Sequence, residues 1–196
     1  VTLLGCGVIN LEILRFLLVT FPTLSEVTLY DTDSDRARAF ADRCGLALAA
    51  PLSFAVTEDR TAAIGANELI SIATTAAQPH LDLGECPPGA TVLHVSLRDL
   101  TPESILASQN VVDDADHVCR ERTSLHLAEQ ATGGREFIDA SIGGLLRGTQ
   151  TIERTPERTV VFSPFGLGVL DLAVAGFVHT EMLRAGRGVL VEDFDG

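Results

Sequence analysis

The sequence predicts an α/β fold built on a doubly wound, mostly parallel sheet, and three observations carry that expectation. Short runs of β-favouring apolar residues alternate with helix-like segments along the whole chain. The first run, Val1 to Leu4, passes through Gly5-Cys6-Gly7 directly into a dense apolar helix pattern ending near Leu18. Polar residues gather just beyond the strand ends, whereas the strands themselves are nearly all apolar.

The elements follow in order. Glu26 to Tyr30 reads as the second strand, and Asp33 or Ser34 caps a helix from about Asp35 to Cys44. Leu46 to Ala50 reads as a short third strand, Thr57 to Ile64 as a modest helix, and Leu69 to Ala73 as a buried fourth strand. A loop from Gln78-Pro79 to Pro87-Pro88-Gly89 precedes a fifth strand, Thr91 to Ser96. Thr101-Pro102-Glu103 is a helix start, with a capping threonine and proline in the first turn. Asn110 to Val112 is the sixth strand, and Asp116 caps a long helix reaching about Gln130. A turn-rich stretch then holds one short apolar segment, Ile142 to Leu146. Thr159 to Phe162 is the last strand, and a tail helix runs from about Gly168 to Ala185. Its apolar residues cover more than one face, so it asks for partners on two sides. This divides the chain into a domain at 1–165 and a helix and tail at 166–196.

Composition excludes several function classes. The 196 residues carry 27 acidic and 14 basic side chains, a net charge of −13, which opposes binding to nucleic acid or anionic membranes. Hydrophobic content of 46% is ample for a core. Cys6, Cys44, Cys86 and Cys119 form no CxxC pair, which reads as reduced thiols in a cytoplasmic protein. The apolar run from Val8 to Phe21 is interrupted by Glu12 and Arg15 and is too short for a membrane span.

Strand, glycine turn and helix make a cradle for a dinucleotide. Gly5 permits a tight turn, Gly7 permits close approach of a diphosphate, and the N–H groups of Val8, Ile9 and Asn10 present positive partial charge to it. Asn10 occupies the place of the usual third glycine. Asp31, 24 positions after Gly7 at the tip of the second strand, is placed to accept hydrogen bonds from a ribose 2′-hydroxyl, with Thr32 beside it. A carboxylate there repels a 2′-phosphate, so the expected cofactor is NAD rather than NADP. Thr74, Thr75 and Ala76 end the fourth strand, either under the cofactor or as an ordinary Ser/Thr turn. Arg98 and Asp99 follow the fifth strand: Asp99 as a general base and Arg98 as a carboxylate clamp, or the two as a surface ion pair. Asp113, Asp114, Asp116, His117 and Cys119 suggest a metal at first sight. Adjacent strand residues point to opposite faces, however, and Asp116 suits a helix start, so no metal is expected and His117 is left as a substrate-side residue. A methyltransferase also opens with a strand and a GxG turn, but the acidic residue usual two positions before the first glycine is Leu3 here.

These pieces in this order resemble the ornithine cyclodeaminase/μ-crystallin family. The likeness rests on Gly5 to Asn10 (GCGVIN), His94 to Leu100 (HVSLRDL), Val111 to Gln130 (VVDDADHVCRERTSLHLAEQ) and Phe162 to Ala173 (FSPFGLGVLDLA). It is strongest to the N-(2-amino-2-carboxyethyl)-L-glutamate dehydrogenase branch, which makes 2,3-diaminopropionate in siderophore and peptide-antibiotic pathways. The resemblance implies NAD-dependent oxidation of a secondary amine linking glutamate to a diaminopropionate skeleton, then hydrolysis to 2-oxoglutarate and 2,3-diaminopropionate. It places Asp99 approximately at the family's catalytic aspartate, and Ser96 and Ser163 near its nicotinamide contacts. It also implies a homodimer for the full-length protein, and a substrate domain with a lysine and an arginine lying mostly before the nucleotide-binding part. This chain contains no lysine, and its expected role is the cofactor-binding part, its tail helix packing on a substrate domain that lies outside it. Ornithine cyclodeaminase, an amino- or imino-acid dehydrogenase, and a non-catalytic NAD(P)H-binding module are the alternatives.

Overall fold

Among the described residues eight strands form one sheet in the order β3-β2-β1-β4-β5-β8-β6-β7, every pairing parallel. The computed structural model describes residues 1–189 and 191. The strands are β1 (Thr2–Leu4), β2 (Glu26–Tyr30), β3 (Ser53–Val56), β4 (Leu69–Ile72), β5 (Thr91–His94), β6 (Gln109–Val112), β7 (Ile138–Ser141) and β8 (Val160–Ser163). The helices are α1 (Val8–Thr20), α2 (Ser34–Ala47), α3 (Arg60–Gly65), α4 (Pro102–Ala107), α5 (Ala115–Val118), α6 (Ser124–Thr132), α7 (Ile142–Leu146) and α8 (Gly168–Arg184).

The chain leaves β1 outward to β2 and β3, then returns to place β4 on the other side of β1. That reversal opens a crevice above the carboxyl ends of β1 and β4, where ligands of open α/β sheets sit. Alternate residues of β1 serve opposite faces: Leu3 packs with Leu14, Leu29 and Phe40, and Leu4 with Ile70, Ile72 and Val92. Asp33 caps α2 by accepting from the Asp35 and Arg36 N–H groups, and Thr101 caps α4 with Pro102 behind it, both as the sequence indicates.

Four local readings need correction. The third strand is Ser53–Val56, because Leu46 and Ala47 continue α2, whose Cys44 is fully buried. The short helix before β4 starts at Arg60, where the Asp59 side chain accepts from the Thr61 and Ala62 N–H groups. The long helix after β6 is two helices. Asp114, not Asp116, caps α5, and Thr123 caps α6 after Glu121 and Arg122 turn the backbone at positive φ (53° and 56°). Ile138–Ser141, hidden in the turn-rich stretch, adds β7 at the sheet edge.

Contacts cluster into two units, Val1–Phe165 and Gly166–Gly196. Within the second, α8 carries Asp171 in its first turn and an Arg184–Glu181 ion pair in its last. None of its residues is buried, and Leu170, Leu172, Phe177 and Leu183 are exposed.

Candidate dinucleotide site

A cleft of about 430 Å³ lies over the glycine turn, lined on one side by Asp31, Thr32 and Arg36 and on the other by Thr74, Thr75 and Ala76. Gly5 adopts φ 88°, and a Cβ there would run into the Ala73 carbonyl, so only glycine fits. Gly7 differs. Its φ is −105° and a Cβ would meet no protein atom within 4 Å, so the space above it is open. As N-cap of α1, Gly7 supplies no side chain to the first-turn N–H groups, and no acidic residue lies in that turn. An anion is the group that such a helix start accommodates.

Asp31 locks this turn from the side. One carboxylate oxygen accepts the Cys6 N–H at 2.8 Å, and the other accepts the Asp33 N–H at 3.1 Å with Thr32 Oγ1 at 3.5 Å. Gly5 N–H donates to the Tyr30 carbonyl at 2.9 Å. A carboxylate offers about four acceptor positions, which leaves capacity toward the cleft. Arg36 stands 3.9 Å from the same carboxylate.

Asn10 is fully buried, with its side chain directed inward rather than at the cleft. Its amide donates to the Leu4 and Gly5 carbonyls at 2.9 and 2.7 Å and accepts from Ser71 Oγ at 2.7 Å. The residue in the third-glycine position therefore braces the turn against β1 and β4. Its side chain does not line the cleft.

Beyond β4 and β5 most of the expected site residues face one another or the surrounding loops instead of the cleft. Asp99 does not line the cleft and is fully buried; its carboxylate accepts from the Thr74 and Ser96 hydroxyls. It is not presented as a free base, because releasing it requires breaking those bonds. Ser96 Oγ also lies 3.2 Å from the Ile72 carbonyl, and buried Ser163 Oγ lies 3.1 Å from His94 Nδ1. Both serines thus serve this inner network. Arg98 does not pair with Asp99; its guanidinium donates to the Glu121 carbonyl at 2.9 and 3.2 Å, against the positive-φ turn. His117 Nδ1 meets Asp114 Oδ1 at 2.8 Å, with Phe165 6.5 Å away. Neither Arg98 nor His117 lines the cleft. Among the described residues no three His, Cys, Asp or Glu side chains are placed to hold a metal ion.

His94, fully buried at the end of β5, was not singled out from the sequence. The signal is the one ionisable side chain in the strand Thr91–His94.

A profile described as the ornithine cyclodeaminase/mu-crystallin family matches residues 1–186. The chain belongs to the ornithine cyclodeaminase/mu-crystallin family. It is 25% identical over 189 residues to N-((2S)-2-amino-2-carboxyethyl)-L-glutamate dehydrogenase of Staphylococcus aureus, covering 95% of this chain and 56% of that one. The crystal structure of CmnK superposes with a TM-score of 0.87 at 29% identity, covering 99% of this chain and 57% of CmnK. Thermococcus litoralis Δ1-pyrroline-2-carboxylate reductase, solved with NADH and L-proline, gives 0.87 at 21% identity over 97% of this chain and 60% of that chain, a likeness of fold. The chain therefore spans somewhat over half the length of these relatives.

Burial lowers the pKa of His94 against the upward pull of Asp99. For Asp99, burial opposes ionisation, but hydrogen bonds from His94, Ser96 and Thr74 outweigh it and hold the carboxyl below its ordinary value. Both folded values lie below the unfolded ones, so the unfolded chain binds more protons and acid destabilises the fold. The His94 contribution is complete above the unfolded value of about 6.5 and is lost as pH falls below it through the lower folded value. Asp99 adds a second loss further down. The thermal midpoint is expected to drop between about pH 7.5 and about pH 5.5, and to drop less in His94→Gln. An equal drop in both proteins would contradict a buried neutral imidazole.

Proposed function

We propose that this chain is the NAD-holding part of an oxidoreductase that oxidises the C–N bond of an amino-acid secondary amine. The observation carrying the proposal is the open space over Gly7 beside a turn locked by Asp31. The residues present fit a dinucleotide. Gly5 shapes the turn, while Gly7 and the N–H groups of Val8 and Ile9 take the diphosphate. The Asn10 N–H completes that helix start. Asp31 and Thr32 take the adenosine ribose. Thr74, Thr75 and Ala76 border the nicotinamide half, with Ser96, Asp99 and Ser163 behind them. The NADH-bound reductase of the same fold supports this assignment.

Bound there, NAD would supply a hydride acceptor. The preferred reaction is N-(2-amino-2-carboxyethyl)-L-glutamate + NAD⁺ + H₂O → 2-oxoglutarate + 2,3-diaminopropionate + NADH + H⁺, supported by the Staphylococcus aureus relative. Another amino- or imino-acid substrate of the same family is the second reading, supported by the proline-related ligand of the Thermococcus reductase. Arg98 and His117 serve the substrate side only if the protein's remaining part brings substrate to them. The exposed apolar side chains of α8 suit a helix that completes such a part, and a homodimer in the cytoplasm fits the same reading.

Two glycine substitutions test the cofactor claim. Gly7→Ala is expected to change stability by no more than about 1 kcal/mol, yet to weaken NADH binding at least about tenfold in a fluorescence titration. Gly5→Ala is expected to destabilise by roughly 1–3 kcal/mol in urea unfolding. Full NADH affinity in Gly7→Ala would refute the site.

A chimera in which residues 1–186 replace the matching segment of the Staphylococcus aureus relative tests the reaction. NADH and 2-oxoglutarate are expected in equal amounts from the conjugate. A chimera that binds NADH but releases no 2-oxoglutarate would reject this substrate.

A further inference from the structure

We propose that His94 is a positioning residue for the nicotinamide half of the cleft, acting through Asp99. The inference rests on the dinucleotide reading above and extends it to a residue outside the cleft wall. His94 ends β5 in register with Ile72 of β4, with no exposed surface. Its Nδ1 lies 3.1 Å from Ser163 Oγ at the end of β8. Its Nε2 lies 3.5 Å from Asp99 Oδ2 and 3.4 Å from the Asp99 backbone nitrogen. One ring nitrogen cannot donate to the carboxylate and accept from the N–H at once, so each neutral tautomer makes one of these contacts. In either tautomer the ring grips Asp99 with one nitrogen and Ser163 with the other.

Asp99 passes that grip outward twice. Its carboxylate receives the Thr74 and Ser96 hydroxyls, and its carbonyl accepts the N–H groups of His80 and Leu81, both at 2.8 Å. Thr74, His80 and Leu81 all line the cleft. Two separate stretches of the wall, after β4 and at the loop before β5, therefore hang on one residue that His94 anchors from beneath. The strand order explains why this bears on one half of the ligand. With the adenosine end over β2 and the diphosphate over β1, the remainder crosses β4 toward β5. An apolar side chain would fill the same buried space without the cost of desolvating an imidazole, yet it could not hold Asp99.

The test uses the chain itself with two ligands: NADH, which spans the whole cleft, and ADP-ribose, which lacks nicotinamide. His94→Leu is expected to weaken NADH about tenfold while leaving ADP-ribose within about twofold of wild type. His94→Gln, which retains a donor and an acceptor, is expected to recover most of the NADH affinity. Unchanged NADH binding in His94→Leu, or parallel loss of both ligands, would overturn the proposal. Should His94→Leu not fold, nitrogen NMR of the wild-type His94 ring decides: resonances moved by NADH but not by ADP-ribose support it, and resonances unmoved by NADH overturn it. A wild-type chain that binds neither ligand would instead defeat the dinucleotide reading on which this one stands.

Discussion

The hydrogen bond from the Cys6 N–H to the Asp31 carboxylate is the interaction on which this structure turns. It ties the loop after β1 to the tip of β2, so the loop's shape and the Asp31 wall of the cleft are set together. The bond is charge-assisted, and Asp31 is largely withdrawn from solvent, so its geometry is held firmly. Asn10 secures the other side of the same loop by joining its carbonyls to Ser71 on β4. A glycine turn has little intrinsic preference for one conformation; here two buried polar side chains choose it.

The second half of the site is organised differently. There the wall is not held by backbone register alone but by a buried chain of polar groups, Ser163, His94, Asp99, Ser96 and Thr74. Such networks specify geometry through their hydrogen bonds, and this one ties Thr74 and Ser96 to Asp99 and Ser163 to His94. Leu97, buried at φ 68°, and the positive-φ pair Glu121 and Arg122 lie on either side of Arg98's bond to the Glu121 carbonyl. The loop carrying Asp99 is thereby fixed from outside as well as from beneath.

The alternation of apolar runs with helix-like segments made the sheet legible in the sequence, and the Gly5-to-Asp31 spacing made one wall of the cleft legible. What escaped did so for local reasons. Leu46 and Ala47 are apolar enough for a strand, but the preceding Cys44 keeps the helical face in the core. The break at Glu121 and Arg122 has no glycine or proline to announce it; it depends on tertiary bonds from Arg98 to Glu121 and from Ser124 to Leu97. The edge strand β7 is four residues long and follows the turn Gly133-Gly134-Arg135-Glu136-Phe137. The family resemblance offers Asp99 as a catalytic aspartate, but spacing cannot reveal that Thr74 and Ser96 close over its carboxylate.

Isothermal titration of the chain with NADH and with NADPH tests the central claim most directly. If Asp31, bound to the Cys6 N–H at the cleft wall, takes the adenosine ribose as proposed, NADH should bind more than about tenfold more tightly than NADPH, because a 2′-phosphate would meet a carboxylate. Equal or tighter binding of NADPH would contradict the account.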